Sequence, residues 1–145
     1  MEFFSQQPKA LRRDFGILPL QESVDERGAL CVADSLNEGF PFEIRRVFWI
    51  YGVPGGKTRG EHAHETCAEV LVPVCGSFTA HVTDGECTKD FVMADRHQGL
   101  YIPPMVWCSF TDFSEDCVCL CLASHPYDKE GYINDLDEFL KRKTL

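Results

Sequence analysis

Gly56-Lys57-Thr58-Arg59-Gly60-Glu61-His62-Ala63-His64-Glu65-Thr66-Cys67-Ala68-Glu69, closed seven residues later by Gly76, is the stretch from which the fold is read. Two histidines one residue apart on an extended strand point the same way, because side chains alternate across a strand. His62 and His64 therefore converge on one small volume. Glu69 falls in the next strand-like run and reaches the same volume if the sheet curls into a barrel. Gly56 and Gly76 suit tight turns on either side. The bland alternative is a solvated pair or two core histidines, and it leaves the step of Gly56, Glu69 and Gly76 unexplained.

Outward from this stretch the chain is a series of short strands. The runs 16–20 (GILPL), 28–35 (GALCVADS), 45–53 (RRVFWIYGV), 67–82, 88–94, 99–104, 106–113 and 116–124 are rich in Val, Phe, Tyr, Trp and Cys. Gly, Pro, Asp or Asn bound them, as strand propensity and turn chemistry require. Thr83-Asp84-Gly85-Glu86 places an Asp-Gly pair between two runs, a hairpin signal. Even spacing of this kind predicts an all-β antiparallel sandwich or barrel. One helix is expected over 134–143, with Leu136, Phe139 and Leu140 at i, i+3, i+4, a cap at Asn134 or Asp135, and Lys141, Arg142 and Lys143 near its end.

The chain of 145 residues fits a single domain over 1–145, with residues 1–13 irregular or an arm that packs on a second subunit. Hydrophobic residues at 44% and charged residues at 26% give an ordinary globular balance, which excludes a disordered chain. The net charge of −9 argues against nucleic-acid binding, which needs a basic face. A few converging arginines still allow a phosphorylated small molecule. No apolar run reads as a signal peptide or a membrane span, so a cytoplasmic protein is expected. Of the eight cysteines, Cys117, Cys119 and Cys121 alternate on one strand face and read as small buried hydrophobes. The absence of a CxxC pair argues against a structural zinc ribbon.

The spacing around His62 and His64 resembles the first signature of the cupin superfamily. An ordered set of local patterns narrows the resemblance. Asp25-Glu26-Arg27-Gly28-Ala29-Leu30, Arg46-Val47, Thr58-Arg59-Gly60, His62-Ala63-His64, Gly99-Leu100-Tyr101-Ile102-Pro103 and Val106-Trp107 come first. Asp112-Phe113-Ser114, Leu122-Ala123-Ser124, Tyr127-Asp128, Tyr132-Ile133 and Asp137-Glu138-Phe139 follow in order. Together, from about Leu20 to about Phe139, they resemble the WxcM-like nucleotide-sugar 3,4-ketoisomerases. The resemblance implies a cupin-type jelly-roll barrel with a short C-terminal helix, commonly a homodimer with exchanged N-terminal strands. It also implies metal-free isomerisation of a dTDP-linked 4-keto-6-deoxy sugar for surface polysaccharide, with both histidines in the site.

Moving a ketone from C4 to C3 requires a base for the C3 proton, hydrogen-bonding character at the oxygens of the enediol, and a grip on the diphosphate. Histidine exchanges protons near cytosolic pH. The family picture makes His62 the base and His64 its partner; spacing alone does not order them. Arg59, on the approach to His62, is the first candidate for the diphosphate, and Arg27 and Arg46 follow because they fall in family-like motifs. Tyr101 and Trp107 are candidates to line the pocket or stack on the base, their bland reading being barrel core.

Three positions depart from the family: Glu69 where glutamine is frequent, Phe48 where some members carry a tyrosine, and Cys108 where histidine or arginine is frequent. They open a rival, a metal-dependent cupin enzyme holding zinc or iron with His62, His64, Glu69 and Cys108. They also open a second, a cupin that binds a nucleotide sugar without turnover. The sequence does not fix stereochemistry at C4.

Overall fold

Alternation of inward and outward side chains decides which residues of this protein meet between its sheets. The computed structural model describes residues 14–144; the irregular segment or arm expected over 1–13 lies outside them. The strands run in chain order β1 (Gly16–Pro19), β2 (Gln21–Asp25), β3 (Gly28–Val32), β4 (Arg46–Tyr51), β5 (Arg59–His64) and β6 (Glu69–Cys75). They continue as β7 (Phe78–Thr83), β8 (Thr88–Met93), β9 (Gln98–Ile102), β10 (Trp107–Thr111), β11 (Val118–Ala123) and β12 (Tyr132–Ile133), and the chain closes with helix α1 (Leu136–Lys143). One sheet has the order β1-β9-β6-β11-β4 and a second β12-β5-β10-β7-β8, all paired antiparallel. This is the expected all-β, cupin-type arrangement with a short terminal helix.

The space between the sheets is filled by Leu71, Phe78, Leu100, Ile102, Phe110 and their neighbours, with Cys117, Cys119 and Cys121 buried among them. The three thiols therefore share one face of β11 and pack as small apolar groups, as their alternation predicts. The Asp84-Gly85 turn forms between β7 and β8: the Asp84 carboxylate accepts from the Glu86 and Cys87 amides, and Gly85 takes a φ of 98°.

Both sheets are also covered on their outer faces. Phe40 and Phe42, from the loop after β3, pack on Val70, Val72, Tyr101 and Leu122 outside the first sheet. Phe139 of α1 packs on Ala63, Trp107 and Ile133 outside the second. Asp135 caps α1, accepting from the Asp137 and Glu138 amides, and Lys141, Arg142 and Lys143 occupy its last turn. The apolar stripe expected on this helix is narrower than its spacing suggested: Phe139 is buried, whereas Leu136 and Leu140 stay about 40% exposed (42% and 38%).

Among the described residues β2 and β3 stand apart as a two-stranded hairpin paired only with each other, with every β2 residue exposed. β2 has no apolar alternation, and no sequence run predicted it. Among the described residues no helix is long and apolar enough to cross a membrane.

Candidate active site

Strand β5 carries the site, and an irregularity in it decides who shares the wall. His62 pairs with Cys108 and Arg59 with Phe110 of β10, but Gly60 alone is matched to Ser109. Glu61 is the extra residue of a β-bulge, with both Gly60 (φ 82°) and Glu61 (φ 61°) in the left-handed region. Simple alternation would send residues 59 and 62 to opposite faces. The bulge cancels one step, so Arg59 joins Phe110 and His62 on the inner face. Glycine at 60 is required twice over, by its φ and because a Cβ there would stand 3.0 Å from the Phe110 ring and 3.1 Å from the Cys108 carbonyl oxygen.

The inner face opens into a cavity of about 310 Å³. Arg59 and Thr58 are exposed at its mouth, and His62, Glu69 and Tyr132 form its polar wall. Phe48, Ile50, Leu71 and Phe110 supply apolar surface. Among the described residues Arg59 is in no ion pair with a carboxylate, which leaves its guanidinium available to an anionic ligand.

His64 sits deeper, with its ring centroid 4.9 Å from that of His62. Its Nε2 is hydrogen-bonded to Glu69 Oε1 at 3.0 Å, and both residues are about 5% exposed. Glu69 begins β6 and shares an inner face with Leu71, so the pair ties the two sheets together across the cavity floor. With the carboxylate as acceptor, His64 donates from Nε2, which fixes its ring and tautomer. Burial pushes the His62 pKa below its ordinary value; the adjacent His64 and Arg59 act in the same direction, against Glu69. A neutral imidazole facing the cavity at neutral pH is a base ready to accept a proton.

The other candidates are distributed differently. Arg46 lies on the inner side of β4, its guanidinium 5.0 Å from the Phe48 ring and 5.6 Å from that of Tyr127, and within electrostatic reach of the Tyr132 phenol. Arg27 is a correction: it sits at the exposed hairpin turn, held to Asp25 at 2.6 Å, and does not reach the cavity of its own chain. Tyr101 and Trp107 are corrections too. Leu100, Ile102 and Cys108 take the inner positions of β9 and β10, so alternation turns Tyr101 out toward Phe42 and Trp107 out toward Phe139. Cys108 does face inward, but it is buried, its thiol donates to the His62 carbonyl at 3.7 Å, and burial raises its pKa well above the usual thiol range. Among the described residues, the groups able to share a metal ion are His62, His64 and Glu69, without Cys108.

Tyr132 is the residue that reading the strands did not assign to the site. β12 pairs with β5 so that Tyr132 lies opposite His64, and its ring centroid is 5.1 Å from His62 and 4.4 Å from His64. A two-residue strand carries no alternation signal, which is why the placement was not legible.

Fold and site together define a cupin-type β-structure with a histidine pair inside and an arginine at its mouth. The chain belongs to the family described as FdtA, WxcM-like C-terminal, which it matches over residues 13–144. It is 38% identical over 125 residues to the TDP-4-oxo-6-deoxy-alpha-D-glucose-3,4-oxoisomerase of Aneurinibacillus thermoaerophilus, covering 86% of this chain and 89% of that protein. A crystal structure of a 3,4-ketoisomerase from Helicobacter canadensis is similar at 34% identity with a TM-score of 0.85, over 92% of this chain and 99% of the other. The sugar 3,4-ketoisomerase of Thermoanaerobacterium thermosaccharolyticum, solved in complex with TDP, is similar at 32% identity with a TM-score of 0.86, over 91% and 96%.

Proposed function

We propose that this protein moves the ketone of a dTDP-linked 4-keto-6-deoxyhexose from C4 to C3 through a 3,4-enediol, using His62 as the base and no resident metal. The enzyme is an isomerase, as its relatives are. The observation that carries the reading is the bulge at Gly60–Glu61, which sets Arg59 and His62 on one wall of one cavity. Arg59 holds the diphosphate at the mouth, where a guanidinium fork matches phosphate oxygens. The sugar then lies over His62, which removes the C3 proton and returns it to C4. His64, fixed by Glu69, packs behind and keeps the His62 ring in place.

The test is turnover of TDP-4-keto-6-deoxyglucose in deuterium oxide by protein purified without a histidine tag and treated with a chelator. Isomerisation is expected, with deuterium at C4 of the product to the extent that the His62 proton exchanges with solvent before its return. Tight TDP binding without turnover would make the protein a binding module. Activity that returns only with added zinc or iron would restore the metal reading of His62, His64 and Glu69. Arg59→Ala is expected to raise KM about tenfold or more with kcat little changed, since it removes one charge-assisted contact; an unaltered KM would refute the phosphate role.

The protein works in the cytoplasm on precursors of surface deoxysugars, as a homodimer. The dimer is supported by surface that a lone chain leaves bare. Val47, Trp49 and Tyr51 alternate outward on the edge strand β4, and Val24 and Leu30 lie on the separate hairpin. An isolated two-stranded hairpin is marginal in water, and a bare apolar edge invites pairing. Light scattering is expected to give twice the chain mass, and Trp49→Glu to shift it toward the single chain; a monomeric wild type would remove the dimer.

A further inference from the structure

Moving a ketone between neighbouring carbons transfers two hydrogens. One passes from C3 to C4 and falls to His62. The other passes from O3 to O4, and His62, committed to carbon, does not serve it. The phenyl ring of Phe48 lines the cavity without a hydroxyl. Among the described residues lining that cavity, the one phenol is Tyr132.

Two observations direct this phenol inward. Its register opposite His64 lays its ring against both imidazoles, at 4.4 and 5.1 Å. Its hydroxyl lies within electrostatic reach of Arg46, whose guanidinium is 5.0 Å from the Phe48 ring and 5.6 Å from that of Tyr127. A guanidinium has donors and no acceptor, so toward Arg46 the phenol oxygen can only accept and its own proton stays free to be given elsewhere. Burial holds the phenol protonated by raising its pKa, while the Arg46 guanidinium opposes that rise and steadies the anion once the proton has left.

We propose that Tyr132, backed by Arg46, is the acid and base for the two sugar oxygens in this enzyme. The step rests on the ketoisomerase reading and balances within it. His62 takes the C3 proton as the C3–H electron pair forms the C3–C4 double bond, and Tyr132 gives its proton to O4, leaving the neutral enediol. The tyrosinate then takes the O3 proton, the C3–O3 double bond forms, and the enediol electron pair takes the proton of His62 at C4. Imidazole and phenol end as they began, and the substrate has exchanged hydroxyl and ketone. No oxidant or metal enters.

The experiment compares wild type, Tyr132→Phe, and the double variant Phe48→Tyr/Tyr132→Phe, which restores a phenol beside Arg46 on the same wall. Turnover of TDP-4-keto-6-deoxyglucose, TDP affinity and the melting temperature are measured for each. In Tyr132→Phe, kcat is expected to fall about 10²-fold, the usual effect of losing a donor to a developing oxyanion. KM, TDP affinity and melting temperature are expected to stay close to wild type, and the double variant to recover about tenfold of the lost kcat. A Tyr132→Phe kcat within threefold of an active wild type overturns this proposal alone. So does a fall in kcat matched by losses of TDP affinity and melting temperature that the double variant does not repair, because that pattern is packing. A wild type that does not convert TDP-4-keto-6-deoxyglucose overturns the ketoisomerase reading and this proposal with it.

Discussion

His62→Asn is expected to lower kcat about 10³-fold while TDP binding stays within a factor of two. Asparagine keeps a hydrogen-bonding group of similar reach but cannot take a proton, and general acid–base groups typically contribute 10²–10⁴-fold, so a value near the middle is about right. His64 cannot replace it. Its Nε2 is occupied by Glu69, and it is not among the residues that line the cavity. The nucleotide contact is made at Arg59, at the mouth, so affinity for TDP should survive. Wild type carries a second signature. Because burial first, and the neighbouring His64 and Arg59 after it, hold the His62 pKa below about 6.5, the neutral base persists as pH falls through that value. kcat/KM should therefore stay level through about pH 6.5 and decline only on its acidic side, and that acid limb should vanish in His62→Asn. Rates measured between about pH 5 and 8 decide it; a variant with near-normal turnover would move the base elsewhere.

Phe139→Ala is expected to be the most destabilising single change discussed here, at about 3–5 kcal/mol. An eight-residue helix does not persist alone in water, and Phe139 is the buried residue that fastens α1 to the domain. Its ring lies 5.9 Å from that of Trp107 and packs with Ala63 and Ile133, which form the backs of β10, β5 and β12. Removing it opens a cavity directly behind the strand that bears His62 and His64. A melting temperature lower by roughly 10 °C follows for a domain of this size. Leu140→Ala, on the same helix but partly exposed, should cost no more than about 1 kcal/mol. Thermal melts of the two variants test the contrast; equal, small shifts would mean that α1 does not brace the site.

How much of this was legible in the sequence follows from which faces are covered. Strands with one clear apolar set, such as β10 and β11, were read with nearly their true bounds, whereas β6 and β7 fell into the single run 67–82. The convergence of His62 and His64 was legible because spacing by two needs no tertiary information, whereas Glu69 joins them only through the packing of β6 in the other sheet. Tyr101 and Trp107 were misplaced for a physical reason: the sheets are covered on both sides, by Phe42 on one and Phe139 on the other. When both faces are apolar, alternation says which residues oppose each other but not which look into the cavity. Arg27 was carried by resemblance alone, and within one chain it holds a hairpin turn. Tyr132 was quoted as part of a motif, yet its meeting with His64 depends on a pairing across 68 positions of chain.

The extra residue in β5 makes the composition of this cavity depend on a count as well as on side-chain identity. Changing Glu61 to another amino acid leaves the tally intact, so the guanidinium and the imidazole still look the same way. Losing one codon there restores plain two-fold order and turns Arg59 out toward solvent, with His62 untouched. Evolution along this wall is thus tolerant of spelling and intolerant of length, and descendants that gained or lost one residue before His62 would keep the base while parting from the anion it serves.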